Sequence, residues 1–413
     1  MLNLILSWVI EAKNKSESGR NEMSAGIVNP GMDAETYEVF INQLKRYVKE
    51  RLVPSEEEVV KLNRIPDDIL AEMKEMGLFG LTLPEEYGGA NLNISQYVEA
   101  IRVISYAIPA YRSIITMNVG MTGTAIKLNG TPEQKEEWLP KLAEGAISAF
   151  GLTEPDSGSD SAGLRTTAVR DGDDYILNGT KRYITNAPFA DVVLIMARTN
   201  TERLPKNAHI SSFLLPTNLP GVTIGPADKK MGQAGSQIAD VIMEDVRLPA
   251  KYLLGGEEGK GFLAAMQSLD NGRLSVAAAS IGYAARILDS GLKYAMERKA
   301  FNEPIANFQL IQAMLADSKA EIYAGECMLR DACARADTGI RISWEASSTK
   351  MHCSETCGRV ADRVVQIYGG AGYLQEYEAE RFFRDARLFR IYEGTTQIQQ
   401  LVIAKQMIRN FEG

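Results

Sequence analysis

The pattern of apolar and polar residues divides the chain into three regions. Over residues 33–147, apolar residues recur at helical spacing, as in YEVFINQLKRYVKERLV. The segment IPDDILAEMKEMGLFG has a proline and two aspartates at its start and a glycine at its end. These are signals of amphipathic helices with marked starts and stops. The pattern predicts an N-terminal helical domain over residues 33–147.

Residues 148–259 consist of short runs rich in β-formers. Asp171-Gly172 and Asn178-Gly179 each lie between such runs, and both dipeptides are typical of hairpin turns, which need positive φ. ADVVLIMAR, SSFLLP and ADVIMEDVRLP are further short strands. The pattern predicts a middle domain that is a small antiparallel β-barrel or sandwich.

Residues 260–413 return to the helical pattern. They contain a long alanine-rich helix, RLSVAAASIGYAARILDSGLKYAMERK. Later helices run through FQLIQAMLADSKAEIYAGECMLRDACARAD, EASSTKMHCSETCGRVADRVVQIYG and TTQIQQLVIAKQMIRNF. Alanine-rich faces allow close packing within a bundle or between subunits, so we predict a C-terminal four-helix bundle. The fold class is α+β with several domains.

Residues 1–32 fall outside these three regions. They begin with the apolar MLNLILSWVI, which is too short to span a membrane and lacks the features of a signal peptide. We expect a disordered extension, and a peripheral membrane anchor is the alternative. No integral membrane contact is predicted.

Composition and charge restrict the class of protein. Of 413 residues, 45% are hydrophobic, and the net charge is −8. This charge favours solubility and argues against a nucleic-acid partner. The four cysteines all lie in predicted helices, which suits reduced thiols in the cytoplasm rather than a secreted disulfide framework.

The sequence lacks the residues that several common kinds of catalytic or binding site require. The chain has only two histidines, which disfavours a Ser-His-Asp triad. His352, Cys353 and Cys357 have no matching second pair of metal ligands, so no metal site is expected. No GxGxxG follows a strand, and LLGGEEGKG departs from a P-loop, so neither nucleotide-binding motif is supported.

Three segments could carry chemistry, and each has a plain structural alternative. FGLTEPDSGSDSAG, residues 150–163, could turn N–H and hydroxyl groups toward a phosphate or a ring edge, or be a linker. QIYGGAGYLQEYEAERFFRD, residues 366–385, could approach a flat or phosphorylated ligand, or end a helix. In IYEGTTQIQ, Glu393 is either a base whose burial raises its pKa, or an acidic residue at a helix N-terminus.

Together these segments resemble the acyl-CoA dehydrogenase family from about residue 33 to the C-terminus. The first matches the family pattern at Leu152, Thr153, Glu154, Gly158, Ser159 and Asp160. The second matches Gln-x-x-Gly-Gly-x-Gly, followed by Glu376, Arg381 and Asp385. The third contains Tyr-Glu-Gly-Thr. The resemblance implies a helical–β–helical subunit, bound FAD and a homotetramer.

The resemblance also implies roles for individual residues. FAD contacts are implied for Phe150, Leu152, Thr153, Gly158, Ser159, Tyr183, Thr185, Arg298, Phe301, Gln309, Gln366, Gly369, Gly370, Thr395 and Gln397. Of these, Gln366, Gly369 and Gly370 are expected to reach the FAD of a neighbouring subunit. Substrate contacts are implied for Ser159, Asp270, Arg273, Gly394 and Arg112. The alternative for Asp270 and Arg273 is an ion pair on a helix surface, which would contribute little.

Two positions depart from the pattern of relatives. Ala300 stands where many relatives carry a hydroxyl residue that binds FAD, which puts one contact in doubt. Some relatives place their base on the helix near Leu269, where this chain has Gly272. The resemblance therefore assigns the base to Glu393.

The implied activity is α,β-dehydrogenation of an acyl-CoA to the 2,3-enoyl-CoA. Glu393 would remove the α-proton while a hydride passes to flavin N5, and an electron-transfer flavoprotein would accept the electrons. The rival interpretations are an acyl-CoA oxidase or flavin monooxygenase of the same fold, a desulfinase or decarboxylating relative, and a scaffold without activity.

Arg112 is relevant to which kind of acyl chain the substrate carries. It lies in AYRSIITMNVGM, with no other charge between Arg102 and Lys127. The segment looks like that of glutaryl-CoA dehydrogenases, in which arginine pairs with the far carboxylate of the acyl chain, or of desulfinases, in which it holds a sulfinate. The structural alternative is that Arg112 pairs with a protein carboxylate such as Glu99, or caps loop carbonyls.

Overall fold

The computed structural model of the chain describes residues 29–412. Most of the predicted N-terminal extension, residues 1–28, lies outside the described residues. Residues 29–32 do not fit that prediction, because they are tied to the helical domain. Asn29 Nδ2 donates to the carbonyls of Asn91 and Leu92 at 3.1 and 3.2 Å, and Met32 N donates to Gln96 Oε1 at 2.9 Å.

The N-terminal region is helical, as predicted. Its α-helices in the described chain are α1 (Ala34–Tyr47), α2 (Glu56–Leu62), α3 (Asp67–Glu75), α4 (Ile94–Ile104), α5 (Pro109–Thr116), α6 (Gly123–Asn129) and α7 (Pro132–Ala143). Helix α4 begins with a capping box between Asn93 and Gln96. The Asp337 carboxylate accepts from the N–H groups of Ile94 and Ser95 at 2.8 and 3.1 Å. This second cap joins α4 to the C-terminal region.

The middle region is a seven-stranded sheet. Its strands are β1 (Ser148–Gly151), β2 (Thr167–Asp171), β3 (Asp174–Thr185), β4 (Val192–Arg198), β5 (Ile210–Pro216), β6 (Val222–Ile224) and β7 (Ile238–Pro249). The order is β1-β4-β2-β3-β7-β6, with β5 paired to β4. Most pairs are antiparallel, as predicted, but β4 runs parallel to β1 and to the start of β2. Strand β4 is buried on both faces, which suits a strand with parallel neighbours.

One of the two predicted hairpins is confirmed and the other is wrong. The turn after Asp171 joins β2 to β3. Asn178-Gly179 instead lies inside β3, where the register with β7 shifts at a β-bulge. Gly179 has φ +147°, and a Cβ there would lie 2.8 Å from Cα of Thr166. The glycine is therefore required by the close approach of Thr166, just before β2, and no turn forms.

The C-terminal region contains the predicted long helices. Its α-helices in residues 29–412 are α8 (Gly261–Glu297), α9 (Gln309–Asp337), α10 (Ser343–Tyr368), α11 (Glu378–Ala386) and α12 (Thr396–Glu412). A short hairpin of β8 (Lys299–Ala300) and β9 (Glu303–Pro304) follows α8. Helices α8 and α4 approach closely, since a Cβ on Gly282 would overlap the carbonyl oxygen of Arg102. Glycine and alanine on α8 thus allow the close packing that the sequence indicated.

Three hydrophobic cores are found in residues 29–412, and two of them join regions to one another. One joins the N-terminal helices to α8, α9, α10 and α11. A second fills the inside of the curled sheet, and a third packs the other face of β4 against α6, α7 and the start of α8. The sheet is therefore covered by helices from both ends of the chain. No helix in the described part is long and apolar enough to span a membrane.

Candidate active site

A cavity of about 250 Å³ lies where the three regions meet. The N-terminal region contributes α5 and the segment after it, the sheet contributes β1, β3 and the loop before β7, and the C-terminal region contributes α8 and the segment before α12. Charged side chains that line it are Arg112, Lys230, Arg273 and Glu393. Three cations thus face a single carboxylate, so the cavity favours an anionic ligand.

Glu393 lies in the turn between the 3-10 helix Arg387–Arg390 and α12. Its backbone has φ +52°, which is unusual for a residue with a side chain. Its Oε2 is buried and has no hydrogen-bond partner among residues 29–412. Burial raises the pKa of Glu393 above its ordinary value of 4.5, although Arg112, Lys350 and Arg273 act to lower it. This is the environment that a general base requires.

Gly272 provides the space for this carboxylate. It lies on α8 opposite Glu393, and a Cβ built on it would overlap Oε2 of Glu393. The same Cβ would lie 3.2 Å from Sδ of Met121. Glycine at 272 therefore leaves room for the Glu393 carboxylate beside α8.

Arg112 is 1% exposed and lines the cavity. Its Nη1 donates to Thr116 Oγ1 at 3.2 Å, its Nη2 donates to Tyr392 Oη, and its Nε has no partner in the described chain. The proposed pairing with Glu99 does not form, because Glu99 binds Arg102 at 2.7 Å. No salt bridge to Arg112 is found among residues 29–412. Its positive charge can therefore bind an anionic ligand or act on the Glu393 carboxylate.

The flavin-lining residues implied for the middle region converge on the cavity. Phe150, Leu152, Thr153, Gly158, Ser159, Tyr183 and Thr185 all line it. Tyr183 has φ +60° and stays 57% exposed, and a Cβ on Gly158 would meet nothing within 4 Å. A half-exposed tyrosine ring beside a loop rich in glycine, serine and threonine fits FAD.

A buried ion pair anchors the loop that carries these groups. Lys181 Nζ lies 2.6 Å from Glu154 Oε1, and the two side chains are 0% and 5% exposed. The Glu154 carboxylate also accepts from the N–H groups of Arg165 and Thr166 at 2.5 and 3.0 Å. Because its two oxygens accept three hydrogen bonds, one of them from a buried ammonium, Glu154 fixes the path of the chain between Thr153 and Thr166.

The remaining predicted FAD contacts do not line the cavity of a single chain. These are Arg298, Phe301, Gln309, Gln366, Gly369, Gly370, Thr395 and Gln397. Phe301 is 90% exposed, and Gly369 and Gly370 are surface residues with open space around them. Thr395 Oγ1 accepts from Ile398 N at 3.2 Å and so caps α12. Their roles toward FAD stay predictions.

The residues predicted to bind substrate divide in the same way. Ser159, Arg273 and Gly394 line the cavity with Arg112, whereas Asp270 does not. Asp270 Oδ1 instead holds Arg273 Nη1 at 2.6 Å. The ion pair of the alternative interpretation therefore forms, with side chains 11% and 26% exposed, and the role of the two residues toward substrate stays a prediction.

Sequence reasoning missed several residues that shape the site. Lys230, Gln233, Met117, Met121, Met266 and Leu269 line the cavity. Lys350 is fully buried on α10 and donates to the carbonyl of Gly394 at 2.8 Å. The signal for Lys350 was present, since it shares the buried stripe of Ala346, Cys353 and Cys357.

Helical, β and helical regions around a cleft with an exposed tyrosine ring, a loop rich in serine and threonine and a buried carboxylate are the arrangement of a flavin-dependent oxidoreductase that acts on CH–CH groups. Residues 34–146, 149–246 and 259–408 match the N-terminal, middle and C-terminal domains of acyl-CoA dehydrogenase. The chain belongs to the acyl-CoA dehydrogenase family, whose members use FAD. The resemblance inferred from the motifs is confirmed.

Individual relatives are similar over most of their length. The probable acyl-CoA dehydrogenase YngJ of Bacillus subtilis is 40% identical over 367 residues, which is 89% of this chain and 96% of that protein. The caffeyl-CoA reductase-Etf complex subunit CarC of Acetobacterium woodii is 39% identical over 372 residues, 89% of this chain and 97% of that protein.

Solved structures show the same fold. Butyryl-CoA dehydrogenase from Megasphaera elsdenii superimposes with a TM-score of 0.86 at 33% identity, covering 91% of this chain and 100% of that one. A complex of glutaryl-CoA dehydrogenase with glutaryl-CoA gives a TM-score of 0.86 at 30% identity, covering 91% and 97%. The predicted fold is thereby confirmed.

Proposed function

We propose that this enzyme removes two hydrogens from an acyl-CoA thioester and forms the 2,3-enoyl-CoA, with Glu393 as the base. The observation that carries the proposal is that Glu393 lines the cavity with a carboxylate whose buried Oε2 has no hydrogen-bond partner in the described residues. A carboxylate that the protein leaves unsatisfied is free to accept a proton from Cα of a substrate.

Each group that lines the cavity has its own role in the proposed reaction. The Glu393 carboxylate takes the α-proton, and the electrons of that C–H bond form the new double bond. The β-hydrogen leaves with its electron pair, and FAD, when bound along Phe150 to Ser159, supplies the hydride acceptor. Backbone N–H groups of the Glu393 turn can stabilise the charge that develops on the thioester oxygen. Met117, Met121 and Met266 exclude water from the acyl chain.

An electron-transfer flavoprotein is the proposed electron acceptor. Support comes from the similarity to CarC, a subunit of a complex that contains such a flavoprotein. The direct test is a panel of saturated acyl-CoA thioesters with a dye acceptor, followed by product mass. We expect a product lighter by two hydrogens. Turnover of none of the panel by flavin-loaded protein would contradict the proposal.

A second candidate is a glutaryl-CoA-like dehydrogenase, or a desulfinase, that acts on an acyl chain with a terminal acid. The observation that favours it is the buried Arg112, which has two neutral hydrogen-bond acceptors and no salt bridge in the described chain. A guanidinium in that position can bind a carboxylate or sulfinate in bidentate fashion. The Tyr392 ring, 5.2 Å from its Cζ, would orient it.

The test compares two substrates of equal length, one neutral and one with a terminal carboxylate. Arg112→Met should raise KM for the acidic substrate by about 10- to 100-fold, since a hydrogen bond to a charged group contributes about 1.5–3 kcal/mol. The neutral substrate should lose far less. Equal losses on both substrates would return Arg112 to a structural role, and product mass would show whether CO₂ or sulfite is also released.

A further inference from the structure

Lys350 is an unusual residue to find on the buried face of a helix. Its side chain is 0% exposed, and it lies on the buried stripe of α10. No carboxylate forms a salt bridge with it in the described part of the chain, and its ammonium donates to the carbonyl oxygen of Gly394 at 2.8 Å. Burying an unpaired ammonium costs stability, so a lysine is expected there only if its position serves the site.

The turn that Lys350 holds contains an unfavourable backbone conformation at Glu393. Glu393 and Gly394 both have positive φ, +52° and +89°. Gln399 Nε2 donates to the carbonyls of Glu393 and Gly394 at 3.2 and 3.0 Å. A left-handed glutamate persists only when its surroundings hold it, and here three hydrogen bonds from two buried side chains do so.

We propose that Lys350 is a positioning residue for the dehydrogenation: by binding the Gly394 carbonyl, it fixes the Glu393–Gly394 turn and keeps the Glu393 carboxylate beside Cα of the substrate. In a trans peptide the C=O and the N–H of the next residue point in opposite directions. Holding the carbonyls of Glu393 and Gly394 therefore also fixes the N–H groups that follow them. The inference rests on the proposed role of Glu393 as the base.

The charges around Lys350 agree with this assignment. Burial lowers the pKa of Lys350 to about 8, while Glu393 acts to raise it, Arg273 to lower it and Glu355 to raise it. Its positive charge in turn acts to lower the pKa of Glu393, against the effect of burial. Lys350 therefore favours the ionised carboxylate that accepts the proton, besides holding its backbone.

The experiment compares Lys350→Met with Lys127→Met in the full-length, flavin-loaded enzyme. Lys127 is a matched control, because its Nζ also donates to a backbone carbonyl, that of Thr82, at 2.9 Å, but outside the cavity. We expect Lys350→Met to lower kcat about 100-fold, the order of loss that a misplaced catalytic group causes, with KM changed less than about threefold. Lys127→Met should keep the parental kcat.

A second readout isolates proton removal from the redox step. In (methylthio)acetyl-CoA, sulfur replaces the β-carbon, so no hydride can leave, but the α-hydrogens can exchange with D₂O. Exchange measured by mass should fall with Lys350→Met by about the same factor as kcat. Parental exchange and kcat per bound flavin, with only a lowered Tm, would overturn the inference and leave Lys350 a structural residue.

Two further variants keep the result interpretable. If Lys350→Met does not fold, Gln399→Met removes the hydrogen bonds to the Glu393 and Gly394 carbonyls, the second of which Lys350 also binds. A parental kcat in that variant would overturn the idea that the turn must be held. Glu393→Gln distinguishes failure of the base assignment from failure of the positioning role of Lys350. If it keeps the exchange, the base assignment fails; if it abolishes exchange while Lys350→Met does not alter it, only the Lys350 inference fails.

Discussion

The contact between Gly272 and Glu393 allows a sharp test of where the base lies. Gly272→Ala adds a single methyl group to α8, and that Cβ would overlap Oε2 of Glu393. The carboxylate must then move by about 1 Å to restore an ordinary contact distance. The Met121 sulfur, 3.2 Å from the same Cβ, limits how far the helix can yield.

The expected loss of rate in Gly272→Ala follows from the distance that the carboxylate must move. A displacement of about 1 Å in a reacting group costs about 100-fold in rate, or about 2.7 kcal/mol of barrier. Alanine inside a helix is favoured over glycine by about 0.8–1.0 kcal/mol, so the fold itself should not weaken. We therefore expect kcat to fall about 100-fold while Tm stays at or near the parental value.

The assay is steady-state turnover with a dye acceptor, normalised to bound flavin. Gly291→Ala on the same helix is the control, because its Cβ would meet the side chain of Val364 at 2.7 Å, away from the cavity. It should change Tm but leave kcat per flavin intact. A Gly272→Ala enzyme with parental kcat would refute the placement of the Glu393 carboxylate against α8.

Three further outcomes are expected. Because burial raises the pKa of Glu393 above 4.5 and the base must be ionised, kcat/KM should rise with pH through a pKa above 4.5; a limb at or below that value would contradict the burial argument. Glu154→Gln leaves Lys181 buried without its partner, so the free energy of unfolding should fall by about 3–5 kcal/mol and flavin content should drop, as measured by Tm and absorbance. Light scattering should show a symmetric oligomer, by the resemblance a tetramer, because the predicted FAD contacts Gln366 and Gly369 are exposed and do not line the cavity of their own chain; a monomer with full activity and full flavin occupancy would contradict this.

The helices and most strands could be predicted from sequence because their patterns are local. The apolar periodicity of α8 to α10 and the short β-rich runs each reflect which face is buried. The error at Asn178-Gly179 arose because a bulge and a turn both favour asparagine and glycine. The parallel pairing of β1 with β4 brings together distant segments, which a local pattern does not specify.

The candidate site was predictable only in part, for a similar reason. Glu393 and the flavin-lining loop lie in compact motifs that resemble a known family. The contact of Gly272 with the Glu393 carboxylate and the bond from Lys350 to Gly394 join residues far apart in sequence. The pairing of Arg112 with Glu99 was a reasonable expectation from charge alone, but Arg102 lies on the same helix as Glu99 and takes its carboxylate.

The most direct test of the central claim is anaerobic reduction of the bound flavin by acyl-CoA in Glu393→Gln, measured as loss of flavin absorbance in a stopped-flow instrument. The amide is nearly the same size as the carboxylate, so the variant should fold and keep its flavin but cannot accept the α-proton. We predict a rate of reduction about 10²–10⁴-fold below the parental rate. Reduction at near the parental rate would show that Glu393 is not the base.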